Sequence, residues 1–248
     1  PPTYLGLDNY VQALQSADFL KAFANNLRYL IGYLPLTLVG ALLLALLLRS
    51  PVLGRDSLRA VYFLPSIVSL IAIAEIWGWI YDSRYGLLNY SLGKAGLPDD
   101  ISWLGDPQLA LWSIVIMMVW KTLGYYAIIY IAGLQAINPE LYDAAYVDGS
   151  GRWGAFRHIT LPLLGPTTFF IATNLLIDSF RVFGPIFVLT QGGPADSTTV
   201  VIWEIYRYGF RYFHMGYASA MAYLIAGSVF VLILLQWRVW GREAGGHA

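Results

Sequence analysis

Apolar residues fall into five long runs, at residues 29–48, 60–81, 109–137, 163–191 and 216–237, separated by shorter polar stretches. Each run is long enough to cross a hydrocarbon core of roughly 30 Å as a helix of about 20 residues. Strand-like alternation of apolar and polar positions is absent, and backbone groups cannot stay unpaired in lipid, so the pattern predicts helices. The fold class expected is an all-α integral membrane protein, a polytopic helical bundle with five spans in this chain. Pro35, Pro65 and Pro185 fall inside three runs and are expected to interrupt them.

The polar stretch between the third and fourth runs has its own pattern. Asn138 suits an N-cap, Pro139 the first helical position and Glu140 the first turn, where its charge matches the helix dipole. Ala144 and Ala145 leave a thin face, Asp148 closes the helix, and Gly149 stands where a left-handed cap is required. After Ser150 and Gly151, the residues Trp153, Phe156, Ile159 and Leu161 recur at roughly helical spacing, and Pro162 is expected to end that second segment. Residues 138–162 are therefore predicted to form a helix-turn-helix finger. An amphipathic loop lying on the membrane surface is the competing reading, but such loops favour a Lys/Arg-rich face and this one has only Arg152 and Arg157.

The run DAAYVDGSGRWGAFRHITLPLLGP resembles the EAA loop of ABC-importer permeases, whose pattern is E-A-A-x-x-D-G-A, a spacer, then F-x-x-I-x-L-P. Asp143 stands at the Glu position and Ser150 at the usual alanine. Ala144, Ala145, Asp148, Gly149, Phe156, Ile159, Leu161 and Pro162 match. The resemblance implies a cytoplasmic finger that docks in a cleft on a separate ATPase and transmits its opening and closing. Asp143 and the matching positions, together with Trp153, are the expected contact residues. Such docking is helix-in-groove recognition, in which small residues allow close approach.

Composition agrees with the membrane assignment, at 58% hydrophobic and 12% charged residues. Net charge is zero, so nothing favours nucleic acid as a partner. There are no cysteines, and His158, His214 and His247 lie in separate segments without ligand-like spacing, so no metal site is expected. No Walker-type motif occurs: the Gly93–Lys94 pair is followed by alanine. The chain is expected to be no enzyme and to carry no cofactor, with ATP and magnesium on a partner ATPase dimer.

Charged residues inside the runs are pathway candidates because a charge at membrane depth is costly. They are Glu75, Lys121, Asp178 and Arg181. Asp178 and Arg181, three apart, either neutralise each other or grip substrate; Glu75 and Lys121 either line a pathway or snorkel toward the span ends. Asn174, with Thr173, offers hydroxyl-binding groups. Tyr125, with Trp77, Trp79, Tyr81, Trp120, Tyr126 and Tyr130, offers rings suited either to sugars or to an interfacial belt.

The stretch FVLTQGGPADSTTVVIWEIYRYGFRYFHMGYASAMAYLI resembles the signature of carbohydrate-importing permeases, T-x-G-G-P-x-x-x-T, then Y, F and G-x-A-x-A. The matching residues are Thr190, Gly192, Gly193, Pro194, Thr198, Tyr206, Phe210, Gly216, Ala218 and Ala220. The family often carries an aspartate where Gly184 and Pro185 stand here. Residues 190–215 are read as an extracytoplasmic loop, with Gly192, Gly193 and Pro194 a tight turn that meets a substrate-binding protein. The small residues of the last run let it pack closely against a neighbour in this chain or in a second permease. TYLGLDNYVQAL resembles the stretch after the first membrane helix of such permeases, so a helix before Pro1 is expected, six spans in all.

One membrane domain over residues 1–248 is thus expected, in the bacterial or archaeal inner membrane. A small excess of arginine (Arg49, Arg55, Arg59, Arg152, Arg157, Arg238, Arg242) puts the finger and the C-terminus in the cytoplasm. Partners implied are an ATPase dimer, a second and homologous permease, a binding protein and membrane lipid. The alternative is a secondary transporter driven by an ion gradient, to which the prolines within spans belong, but which leaves the finger unexplained.

Overall fold

The computed structural model describes residues 4–49 and 55–244. Pro1, His247 and the side chains of Arg49, Arg55, Arg59 and Arg242 lie outside the described residues, and with them part of the charge asymmetry. Among the described residues every regular element is helical. In order these are α1 (Asp8–Gln15), α2 (Ala17–Arg49), α3 (Arg55–Ile67), α4 (Leu70–Ile80), α5 (Leu87–Lys94), α6 (Ala110–Gln135), α7 (Glu140–Val147) and α8 (Arg152–Ala155). A π-helical turn (Phe156–Thr160) leads into α9 (Leu161–Leu163), α10 (Gly165–Phe180), α11 (Gly184–Leu189) and α12 (Val201–Tyr206). A second π-helical turn (Arg207–Arg211) precedes α13 (Met215–Ala244).

Among the described residues, four helices are long and apolar enough to cross a membrane: Ala17–Leu48, Ala110–Gln135, Gly165–Leu189 and Met215–Arg238. The fifth predicted span, over 60–81, is not one rod. It divides into Ala60–Ile67 and Leu70–Ile80, bent by 106°. Pro65 lacks the N–H that would bond one turn back, and the helix ends two residues later. Pro185 likewise sits at the start of α11 after a break at 181–183. Pro35 corrects the expectation: α2 runs through it unbroken. In an apolar bundle, neighbouring groups absorb one lost backbone bond.

The chain divides into two compact units. The first comprises Pro1–Tyr33, Val68–Val119 and Leu176–Val231. Its interior is held by polar as well as apolar contacts. Asn25 and Asn26, both buried, sit on a part of α2 more polar than the run predicted for this span. The Asn25 amide donates to the carbonyls of Asp196 (3.0 Å) and Thr199 (2.9 Å). Asn26 donates to Ser179 O (3.0 Å) and accepts from Val201 N (2.9 Å). Lys21 adds a bond to Ala195 O (2.7 Å). Ile73, Ala74 and Met117 form an apolar cluster with Val188 and Leu189.

The second unit comprises Leu34–Ile67, Trp120–Leu175 and Leu232–Ala248. Here α3 and α6 approach closely at Gly124, beside the backbone of Tyr62 and Phe63. The Lys121 ammonium donates to the carbonyls of Pro65 (3.2 Å) and Ser66 (3.3 Å), and Ser66 Oγ donates to Lys121 O (3.1 Å). Carbonyls at a helix C-terminus have no partner within the helix, so Lys121 satisfies the end that the broken span creates.

Candidate functional site

The finger is built from local rules. Asn138 Oδ1 accepts the Glu140 N–H at 3.1 Å, the N-cap expected of it. At the other end of α7, Gly149 has φ +80°, Ser150 N bonds to Ala145 O (2.8 Å) and Gly149 N to Tyr146 O (3.1 Å). That pair of bonds is the Schellman motif, which needs a left-handed residue where Gly149 stands. The second arm differs from expectation at one point. Pro162 does not end it. The arm passes from α8 through the π-helical turn into α9, and Leu164 N still bonds to Thr160 O at 3.0 Å, so the chain enters α10 with one residue, Leu164, between the helices. Proline is tolerated here because it falls in the first turn after the π-helical segment.

The two arms are joined by a hydrogen bond between the Tyr142 and Thr160 hydroxyls (2.9 Å) and enclose a cleft of about 390 Å3. Asp143, Tyr146, Arg152 and Phe156 line it. Phe156, Ile159 and Ala145 are half-buried, and Trp153 stacks on Phe156 at 5.5 Å while remaining 71% exposed. Asp143, Ala144, Asp148, Gly149, Leu161 and Pro162 are exposed. None of the eight residues of α7 is buried, and Val147 is 87% exposed. Helices this short draw most of their stability from packing, so α7 presents a face that this chain does not cover.

The pathway candidates differ in how far this chain buries them. Glu75, Tyr125, Asp178 and Arg181 are exposed. Glu75 lies one turn from Ile71 and Trp79 on α4, all exposed, so a carboxylate stands on an apolar face of this chain. Lys121, by contrast, is buried on the α3 carbonyls. The Asn174 amide turns back to Phe170 O (2.8 Å) and Thr173 Oγ1 to Phe169 O (2.8 Å), while Gln236 donates to Thr173 Oγ1 (3.1 Å). Thr173 thus clasps α10 to α13, a role that Gln236 does not signal from sequence.

In the first unit the T-x-G-G-P-x-x-x-T motif closes on itself. Thr190 and Thr198 hydroxyls meet at 2.7 Å, Thr198 Oγ1 donates to Gly193 O (2.7 Å), and Thr199 Oγ1 to Gly192 O (3.2 Å). The Gly193–Pro194 peptide is cis. Gly192 is buried at φ +89°, and a Cβ there would come within 2.6 Å of Thr199 Oγ1, so its place is inside the turn. Gly193 and Pro194 are half-buried, and the surface of the turn is formed by Gln191, Ala195 and Asp196. Those three have positive φ values of 49°, 48° and 56°. Such strain in non-glycine residues concentrates at functional loops. Tyr206 completes a ring cluster with Phe183 (5.3 Å) and Trp203 (5.7 Å). Gly216 admits Asn9 of this chain's own α1, and Ala218 lies beside Gly209.

Glu204 is a buried charge that span reading passes over, since it lies between runs. It is 1% exposed and paired with Arg207 at 2.9 Å, and its second oxygen is buried without a hydrogen-bond partner. Burial pushes its carboxyl up to about 6, against the pull of the Arg207 guanidinium. The folded protein therefore holds this proton more tightly than the unfolded chain. Its contribution to stability is full below the ordinary glutamate range and is lost as pH rises through about 6. The Glu204→Gln protein is expected to be more stable than the parent at pH 7, by up to about 2 kcal/mol, and to show a flatter melting temperature between pH 4.5 and 6. A thermal melt across that range in detergent checks it; an unchanged profile would mean that the carboxylate is stabilised by its surroundings.

Residues 24–239 match the family described as "binding-protein-dependent transport system inner membrane component". The trehalose/maltose transport system permease protein of Thermococcus litoralis is 37% identical over 232 residues, covering 93% of this chain and 76% of that protein. The lactose transport system permease protein of Rhizobium radiobacter is 33% identical over 238 residues, covering 94% and 80%. A crystal structure of a bacterial alginate ABC transporter, in complex with an alginate pentasaccharide-bound periplasmic protein, contains a chain that superposes with a TM-score of 0.87. The identity is 28%, over 98% of this chain and 85% of that one.

Proposed function

Because this chain belongs to the family of binding-protein-dependent transport system inner membrane components, we propose that it is the permease of an ATP-driven importer that carries a sugar handed over by an extracytoplasmic binding protein. The single observation that carries the coupling role is α7, an ordered helix with no residue buried in its own chain. A partner groove is the natural cover for it. In this reading a cytoplasmic ATPase dimer, holding ATP and magnesium, receives the finger, and Ala144 and Gly149 allow the close approach. Asp143, Asp148 and Trp153 supply polar and aromatic contacts. The finger and the C-terminus lie in the cytoplasm.

The sugar class is supported by the trehalose/maltose and lactose permeases that the chain resembles. Binding-protein contact belongs to the turn at Gly193 and Pro194, made through Gln191, Ala195 and Asp196. Glu75, Asp178 and Arg181, exposed in the first unit, are pathway groups, and so, within the second unit, is Tyr125. The geometry of the finger supports alternating access. Its arms are locked to each other and the second leads into α10, so displacement by the ATPase passes to that helix rather than being absorbed in a loop.

The test is to tag the chain, extract it gently from its native membranes and identify what accompanies it by mass spectrometry. An ATPase and a second permease are expected. A chain that purifies alone and transports on an ion gradient would replace this reading with that of a secondary carrier.

A further inference from the structure

The end of α4 and the segment that follows it enclose a second cleft, of about 400 Å3, lined by Trp79, Arg84, Tyr85, Asn89, Tyr90 and Asp99. Its three rings are 61%, 80% and 63% exposed for Trp79, Tyr85 and Tyr90. Aromatic area of this size, left uncovered around one concavity, is the feature expected of a binding surface rather than of a loop. We propose that this cleft binds a sugar ring of the transported saccharide before it enters the membrane passage, an inference that rests on the sugar-importer reading above.

The backbone around the cleft is fixed. Asp82 Oδ1 accepts the N–H groups of Arg84 (2.9 Å) and Tyr85 (2.8 Å), setting the turn that presents both side chains. Asn89, 3% exposed, donates to Ser83 O (3.1 Å) and Ile101 O (2.9 Å) and accepts from Trp103 Nε1 (2.7 Å), so it ties the start of the loop to its end. Tyr81 and Ser113 continue this scaffold, the Tyr81 hydroxyl donating to Ser113 O at 2.8 Å. Gly93 makes room for the Asp99 carboxylate, which a Cβ there would approach within 2.6 Å. A site held this way loses little conformational freedom when it is filled.

The chemistry of the lining selects the ligand. A pyranose presents C–H groups on its faces and hydroxyls round its rim. Rings cover the first, while the Arg84 guanidinium donates to the second and the Asp99 carboxylate accepts from it. The volume lies within the range of about 300–1,000 Å3 usual for small-ligand sites. An anionic lipid headgroup is the poorer fit, because Asp99 opposes Arg84 in the same cleft. Trp79 also lies one helical turn from Glu75, so a sugar leaving the cleft along α4 meets a polar group at membrane depth.

The test uses the complex purified from native membranes in nanodiscs, without binding protein. Saturation-transfer NMR is recorded with maltose, trehalose, lactose and xylose, alongside uptake of the same sugars by cells. Variants Tyr85→Ala, Tyr90→Ala and the double substitution are compared with the parent; both side chains are exposed, and Arg84→Gln adds a change that removes no ring. For a sugar that cells take up, transfer to its ring protons is expected, with binding weakened about tenfold in the double variant, as for loss of aromatic anchors. If such a sugar shows no transfer, or binds the double variant as tightly as the parent, the cleft assignment falls and the importer reading stands. Failure of cells to take up any of the four overturns the sugar class and the cleft together. Phospholipid retained by the parent in native mass spectrometry and lost from the double variant would overturn the saccharide in favour of a lipid.

Discussion

Gly149→Asp is expected to abolish substrate uptake, at least tenfold, while the chain still reaches the membrane in normal amount. Gly149 closes α7 at φ +80°, where an L-residue is strained by about 1–2 kcal/mol. A Cβ at that position would meet nothing within 4 Å in this chain. Strain alone therefore gives a modest loss, and anything larger comes from the surface that approaches the glycine from outside. Gly149→Asn separates the two effects, because asparagine accepts left-handed geometry more readily than other residues. Uptake by both variants, measured with a labelled sugar and normalised to chain abundance, should fall if close approach is the requirement. Normal uptake by Gly149→Asn with loss in Gly149→Asp would assign the effect to charge, and normal uptake by both would remove Gly149 from the coupling surface.

Gly124→Ala is the second large effect, and it acts on folding. An added Cβ would overlap the Tyr62 carbonyl and come to 3.0 Å from Phe63 N. Those are backbone atoms and cannot swing aside, so α3 and α6 must separate, stretching the Lys121 bonds to Pro65 and Ser66 that cap the broken span. Overpacking of this kind costs about 1–3 kcal/mol or more. The expected result is a lower melting temperature and less chain in the membrane fraction. Gly40→Ala is the comparison: its Cβ would meet Leu123 Cδ1 at 2.6 Å, the end of a flexible side chain, and should be milder. Equal stability of Gly124→Ala and the parent would show that α3 and α6 cross less tightly than these distances require.

How much can be read from sequence depends on the range of the interactions. The N-cap at Asn138 and the left-handed Gly149 follow rules that operate within a few residues, and both stand as expected. The apolar runs locate the spans, since their length is set by the bilayer. The break at Val68 and Ser69 is signalled by Pro65, but nothing near Lys121 in the chain tells that its partner is a helix end 55 residues away. Asn25 and Asn26 escape a hydropathy reading because it treats amides as outside the span, whereas here they bond elements more than 150 residues away in the chain. Glu204 escapes it because it lies between two runs, where a charge reads as solvated, although its partner Arg207 is only three residues away. Pro162 reads as a stop because sequence rules assume α-helical bonding, and the turn before it is π-helical.

That turn governs how this chain tolerates change in length. A π-helical turn is an α-helix carrying one surplus residue, and each residue of an α-helix advances by about 100°. Deleting a single residue within 156–160 would restore regular bonding, and because the wide turn already takes up the surplus residue, α8 would keep nearly its present direction relative to α10. A one-residue deletion here is therefore expected to be tolerated better than the same deletion within α10, where each residue lost turns the flanking faces by about 100°.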